Sequence, residues 1–182
     1  MIEARQRKHP RLKKYDYTQS GAYFVTICTK NRVNILSHVT AAPVGRDDFI
    51  PPTEVKLTFY GKAVAETIFS IPKTHLSVIE EKHVIMPNHV HLLLTFSSVS
   101  DGDMRATQGG MKSSCPTLMT VVRVLKSRVT LKTKQSIWQD GFYEHIIRDE
   151  QDFLRHQKYM EDNPAKWAED EYYVGLMEGN TD

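Results

Sequence analysis

Residues 86–96, MPNHVHLLLTF, place His89 and His91 one residue apart inside an apolar run. On a strand alternate side chains share a face, so both imidazoles lie on one side while Val90 and Leu92 turn to the other. Two imidazoles one strand repeat apart can converge on a single divalent metal. Alone they read as readily as half-buried polar residues satisfied by neighbours, so the pair gains meaning only from its surroundings. A binuclear hydrolase of the His-x-His-x-Asp-His kind is excluded, because Leu92, Leu93 and Leu94 stand where its further ligands belong. A barrel hydrolase needs about 250 residues, more than the 182 present. Cys28 and Cys115 are the only cysteines, which excludes a cysteine-rich zinc module or a disulfide framework and fits a reducing compartment. Any metal is therefore held by nitrogen and oxygen.

A third ligand and a reactive group must come from another element, and residues 156–167, HQKYMEDNPAKW, offer candidates for both. Tyr159 and Asn163 are four apart and project from one helical face, with His156 one turn earlier on a neighbouring line. Taken singly, Tyr159 is also an ordinary tyrosine at a core margin, and Asn163 an ordinary helix C-terminal residue before Pro164. Tyr143 is a rival for any nucleophilic role, without a ligand type one turn away on the same face.

These residues must be positioned by a small set of elements. Residues 23–29, rich in β-branched and aromatic types, predict a first strand. Residues 37–54 mix prolines with charges and predict a loop. Phe59, Val64, Ile68 and Ile71 fall near helical spacing, and Pro72 should stop that helix. Strand content is expected over residues 83–96, and a flexible connector over 97–116. Leu118, Val121, Val122, Leu125 and Val129 then form one helical stripe, surrounded by Arg123, Lys126, Arg128, Lys132 and Lys134. A short strand at 141–148 precedes a helix with Asp149 as N-cap, ended by Pro164. The order of elements predicts an α+β domain, an antiparallel or mixed sheet with helices packed on one face.

Length supports one domain over residues 1–182. Net charge is only +2, unevenly spread. Arg5, Arg7, Lys8, Arg11, Lys13 and Lys14 make a basic arm over about residues 1–15. Residues 168–182 form an acidic tail without Lys or Arg. Such an arm can contact phosphates through counterion release, and equally can be a solvated terminus. No apolar stretch reaches the roughly 18 residues of a membrane span, and the N-terminus has no signal-peptide core.

The segments RLKKYDYTQSGAYFVTICTKNR, VIMPNHVHLLL, WQDGFYEHIIR and YMEDNPAKW occur in that order through the beginning, middle and end of the chain. In these the chain resembles the HUH-type single-tyrosine transposases, and among them the REP-associated tyrosine transposase branch of the insertion-sequence transposases. The two loops and the basic helix carry no motif. The resemblance implies a ferredoxin-like sandwich in which His89 and His91 stand on a central strand as metal ligands. It also implies Tyr159 as nucleophile and Asn163 as third ligand, where related transposases often carry Gln. A bacterial cytosolic protein follows, acting on single-stranded DNA with a hairpin or palindrome, with a homodimer among the assemblies relatives adopt.

The expected chemistry is metal-dependent nicking and rejoining of single-stranded DNA through a 5′-phosphotyrosine. A phenol with pKa about 10 needs activation and a phosphodiester needs charge relief, the second supplied by a divalent metal. Oxygen preference suggests Mg²⁺ or Mn²⁺, with the imidazoles favouring Mn²⁺. His156, Glu161 and solvent are the candidate bases. The ester is conserved, so ATP is unnecessary, and GGMKSS at 109–114 fails the phosphate-loop pattern. Arg123, Lys126 and the arm are expected to follow phosphates, and Tyr15, Tyr17, Trp138, Phe142 and Trp167 to stack on bases. Two alternatives remain: a non-catalytic nucleic-acid-binding domain on the same scaffold, and a metal enzyme attacking small phosphoesters with activated water. His9, His38, His75, His83 and His145 have no evident partner, although His83 shares strand parity with His89.

Overall fold

The computed structural model describes residues 20–40, 53–97 and 116–173. The basic arm, Tyr15, Tyr17, the 109–114 segment, Cys115 and the tail beyond residue 173 lie outside the described residues. The strands are β1 (Gly21–Cys28), β2 (Ser37–Thr40), β3 (Glu54–Leu57), β4 (Val78–Ile85), β5 (His89–Phe96) and β6 (Tyr143–Ile147). The helices are α1 (Phe59–Phe69), α2 (Ile71–Thr74), α3 (Leu118–Thr133) and α4 (Glu150–Asp162).

Four strands form one sheet in the order β4-β5-β1-β6, and every neighbouring pair is antiparallel. With α1 leading from β1 towards β4 and α3 from β5 to β6, this is the ferredoxin-like α+β arrangement. Alternation along the strands separates two faces. Tyr23, Val25 and Ile27 of β1 lie opposite Leu94, Leu92 and Val90 of β5. All six are fully buried, in one cluster with Val64 and Ile68 of α1 and Val121, Val122, Leu125 and Val129 of α3. Burying each large aliphatic stabilises the fold by roughly 1.5–3 kcal/mol before the entropy of ordering it is set against the gain.

The opposite face carries Phe24, Thr26 and Cys28, paired with Leu93, His91 and His89. The two crossover helices occupy the core face as expected, whereas α4 lies over the histidine face, with His156 and Tyr159 against Phe24. The site is thus enclosed between sheet and terminal helix.

Three local features depart from the sequence reading. Residues 37–54 are not loop throughout, since β2 and β3 pair antiparallel, Ser37 with Leu57 through Thr40 with Glu54. Pro72 sits in the first turn of α2, where its missing N–H costs nothing, and α1 ends before it at Ser70. His83 faces the core side, opposite Leu92 and against Phe69, because the β4–β5 turn, which sets Ile85 opposite Val90, breaks the parity that number alone suggests.

Asp149 caps α4 as predicted, its Oδ1 accepting from Asp152 N at 2.8 Å. The helix closes at Asn163, immediately before Pro164. Residues Trp167–Glu169 then form a 3-10 turn that brings the following residues back over the histidines.

Candidate active site

His89 and His91 are 0 and 1% exposed, and their Nε2 atoms lie 3.0 Å apart. Each Nδ1 is already engaged. His89 Nδ1 meets Asn88 Oδ1 at 3.0 Å, and His91 Nδ1 meets Thr26 Oγ1 at 2.8 Å. Asn88 Nδ2 donates to the carbonyls of Tyr172 at 2.8 Å and Arg32 at 3.2 Å, so its oxygen faces His89 and accepts the Nδ1–H. The lone pair of His89 is therefore on Nε2. Outer partners of this kind fix the tautomer and ring plane of a metal-binding histidine.

Donors about 2.1 Å from a shared ion at right angles stand about 3.0 Å apart, so the pair fits as neighbouring ligands. Burial first, then the Arg32 guanidinium, pushes His89 down to about 3. Burial, and then His89 itself, holds His91 well below its usual value, with Asp170 acting in the opposite sense. Both imidazoles are neutral at physiological pH, the state in which their nitrogens can be ligands.

The carboxylate of Asp170 joins them, with one ligand atom from each of the three residues within 4.8 Å of the others. Asn163, 3% exposed, donates from Nδ2 to Asp170 Oδ2 at 2.8 Å, while its Oδ1 is buried without a partner among the described residues. Asn163 thus steers the carboxylate and keeps an acceptor unspent, both consistent with a cation at this place. Asp170 was not foreseen as a ligand, because it lies past Pro164 in a stretch legible only as part of an acidic tail. Thr26 and Asn88 were likewise missed, although Asn88 directly precedes the histidines.

Tyr159 projects from α4 with its ring 5.3 Å from that of His91 and 5.9 Å from that of Phe24. It is 42% exposed and stands between two cavities. One, about 460 Å³, includes Phe24, Thr26, His91, Asp152 and His156 in its lining. The other, about 560 Å³, holds Arg155, Lys158 and Lys166 together with Asp162, Glu169 and Glu171. Burial, then Asp170 and Glu171, pushes the phenol up to about 12, against a hydrogen bond from Asn163 that lowers it. The rival Tyr143 stands on β6 opposite Thr26, on the same sheet face. Of the candidate bases, Glu161 is ion-paired with Lys82 at 2.5 Å, and His156 Nδ1 is bonded to Asp152 O at 2.8 Å.

The histidine pair is covered. Tyr172 packs at 4.6 Å from the His89 ring and Trp167 at 5.9 Å, while Arg32 lies 4.8 Å over Tyr172 and donates to Glu171 O at 3.0 Å. Trp167 is therefore occupied against the site. Trp138 is buried beside β1, and Phe142 packs against the core. Of the basic residues on α3, Lys126 donates to the carbonyls of Gln139, at 2.8 Å, and Gly141, and burial lowers its pKa. Arg123 lines an open cavity of about 400 Å³ with Met119 and Phe142. No helix among the described residues is long and apolar enough to cross a membrane.

No protein-family profile matches the chain. An uncharacterized Haemophilus influenzae protein is 32% identical over 179 residues, 92% of this chain and 93% of that protein. A second protein of the same organism, named for the REP-associated tyrosine transposases, is 26% identical over 83% of this chain and 74% of its own length. A solved REP-associated tyrosine transposase bound to a REP hairpin shares the fold, with a TM-score of 0.55 at 20% identity over 86% of this chain and 74% of that one. With this similarity extending over the ferredoxin-like sheet and the histidine-bearing β5, the chain belongs to the REP-associated tyrosine transposase-like family.

Proposed function

We propose that the protein nicks and rejoins single-stranded DNA, hairpin-bearing or palindromic, with Tyr159 as nucleophile and a divalent cation held by His89, His91 and Asp170. The observation that carries this reading is the convergence of two neutral Nε2 atoms, each fixed from behind, beneath a half-exposed tyrosine. Asn163 orients Asp170 and offers Oδ1 as a further oxygen donor, the role the family resemblance implies for it. A bound Mg²⁺ or Mn²⁺ supplies charge relief to the phosphodiester.

The chain's own groups carry the rest. The Tyr159 oxygen attacks phosphorus, its bond to the 5′ side forms as the bond to the 3′ oxygen breaks, and the 3′ end leaves as a hydroxyl after taking a proton. Rejoining is the reverse. The phenolic proton leaves to solvent or to His156, whose Nδ1–H donates to Asp152 O and so leaves Nε2 as an acceptor, whereas Glu161 is held by Lys82. The relative solved with a REP hairpin supports a hairpin substrate.

A non-catalytic binding role is favoured by one observation, the cover that Trp167 and Tyr172 place over the histidines. Incubation of a labelled single-stranded hairpin with protein and Mn²⁺ separates the readings. The expected product is a protein–DNA adduct, absent in Tyr159→Phe and reduced at least tenfold in Asp170→Asn. Tight binding without adduct across a library of hairpins establishes the binder instead. Turnover of small phosphoesters that survives Tyr159→Phe establishes the water-using enzyme.

A further inference from the structure

A second group of ligand-type side chains lies on the same sheet face, on the far side of Phe24. His145 of β6 and Asp152 and His156 of α4 each bring one ligand atom within 4.8 Å of the others. The carboxylate is 6% exposed and is faced by an imidazole on each oxygen. His145 Nε2 lies 2.8 Å from Oδ2, and His156 Nδ1 lies 3.4 Å from Oδ1. The two rings are stacked at 4.6 Å, close to the 4.5 Å separating the His89 and His91 rings.

We propose that His145, Asp152 and His156 form a second cation site, for a borderline transition metal such as Zn²⁺. Two imidazoles and one carboxylate with open positions are a recurrent donor set for such ions. The 2.8 and 3.4 Å separations bracket the roughly 3.3 Å spacing of neighbouring ligands on a tetrahedral zinc. Three other contacts share these atoms. Arg148 N donates to Oδ2 at 3.2 Å, Arg155 Nη2 lies 3.5 Å from Oδ1, and His156 Nδ1 meets Asp152 O at 2.8 Å. The first does not use the imidazoles. The second is an exposed pair, with the arginine side chain 74% exposed, and such pairs yield at little cost. The third is given up when the ring proton moves from Nδ1 to Nε2, since a neutral imidazole binds an ion through its unprotonated nitrogen. Asp152 and His156 line the cavity of about 460 Å³ that also reaches Tyr159, so the remaining positions on the ion are open. An ion there ties β6 to the helix that carries the candidate nucleophile.

The assignment goes beyond the strand-transfer reading and stands whether or not Tyr159 cleaves DNA. Calorimetric titration of the metal-stripped full chain with Zn²⁺ alone tests it. His89→Ala/His91→Ala is expected to retain one equivalent, and adding His145→Ala to weaken that equivalent at least a hundredfold. Wild-type crystals soaked in Zn²⁺ need no variant and should show an anomalous peak between His145 and His156. A double variant that folds and binds no Zn²⁺, binding that survives loss of His145, or soaked crystals without a peak there would each overturn the site.

Discussion

Thr26 determines whether His91 can act as a ligand. The His89 tautomer is fixed by Asn88, whereas the Thr26 hydroxyl can either donate to His91 Nδ1 or accept from it. In the metal-free chain the 3.0 Å contact between Nε2 atoms needs one proton, which sits on His91, so that Thr26 donates. A ligating His91 must carry its proton on Nδ1 instead, with Thr26 now accepting. Thr26→Val removes this exchange with little change in volume. Mn²⁺ affinity should then fall about 10- to 100-fold, and an unchanged titration would show that Thr26 has no such part. Acid should act on the same pair. An unfolded histidine titrates near 6.5, the folded His89 near 3, and His91 is shifted in the same direction. As pH falls below 6.5 the unfolded chain therefore takes up protons that the folded chain refuses, so stability is full above 6.5 and is lost on acidification. The slope is at most about 1.4 kcal/mol per pH unit for each imidazole. Urea melts of metal-stripped protein between pH 7 and 5 should show the decline, and a flat profile would mean that burial of the pair is overstated.

The element that brings chemistry to the sheet is α4, and its start is set by a single cap. Asp149 satisfies the N–H of Asp152, the residue that in turn bonds His145. Asp149→Ala should cost about 1 kcal/mol in chemical denaturation, with Asn restoring most of it. Equal stability for all three would show that the helix is held by packing alone. Asp149, like the histidines, was legible in the sequence because its signal is local. A two-residue period puts both imidazoles on one face, a cap residue precedes an amphipathic run, and a proline ends it. What escaped depends on contacts between distant segments. Asp170 reaches the histidines only because the 3-10 turn after Pro164 folds back, and no periodicity announces such a return. The β2–β3 pair is hidden by the prolines between its strands. His83 failed for a related reason, since parity holds along one strand and is lost across a turn.

Across the whole molecule, formal positive charge and available positive charge differ. Arg123 and Lys126 are three residues apart on α3 and look equivalent in the sequence as phosphate contacts. Lys126 is spent inside, its ammonium bonded to the carbonyls of Gln139 and Gly141 just before β6 begins. Arg123 borders an open cavity next to Phe142. A phosphate contact on a single strand contributes about 0.7 to the slope of log affinity against log salt, and an internally bonded cation contributes none. With single-stranded hairpin DNA as probe, Arg123→Ala should lower the slope by about that amount at unchanged thermal stability. Lys126→Met should leave the slope in place and lower the melting temperature slightly, because the part-buried Gln139 carbonyl and the exposed Gly141 carbonyl lose their shared donor. The opposite pattern would make Lys126 a strand contact and detach the 139–141 turn from the support assigned to it here.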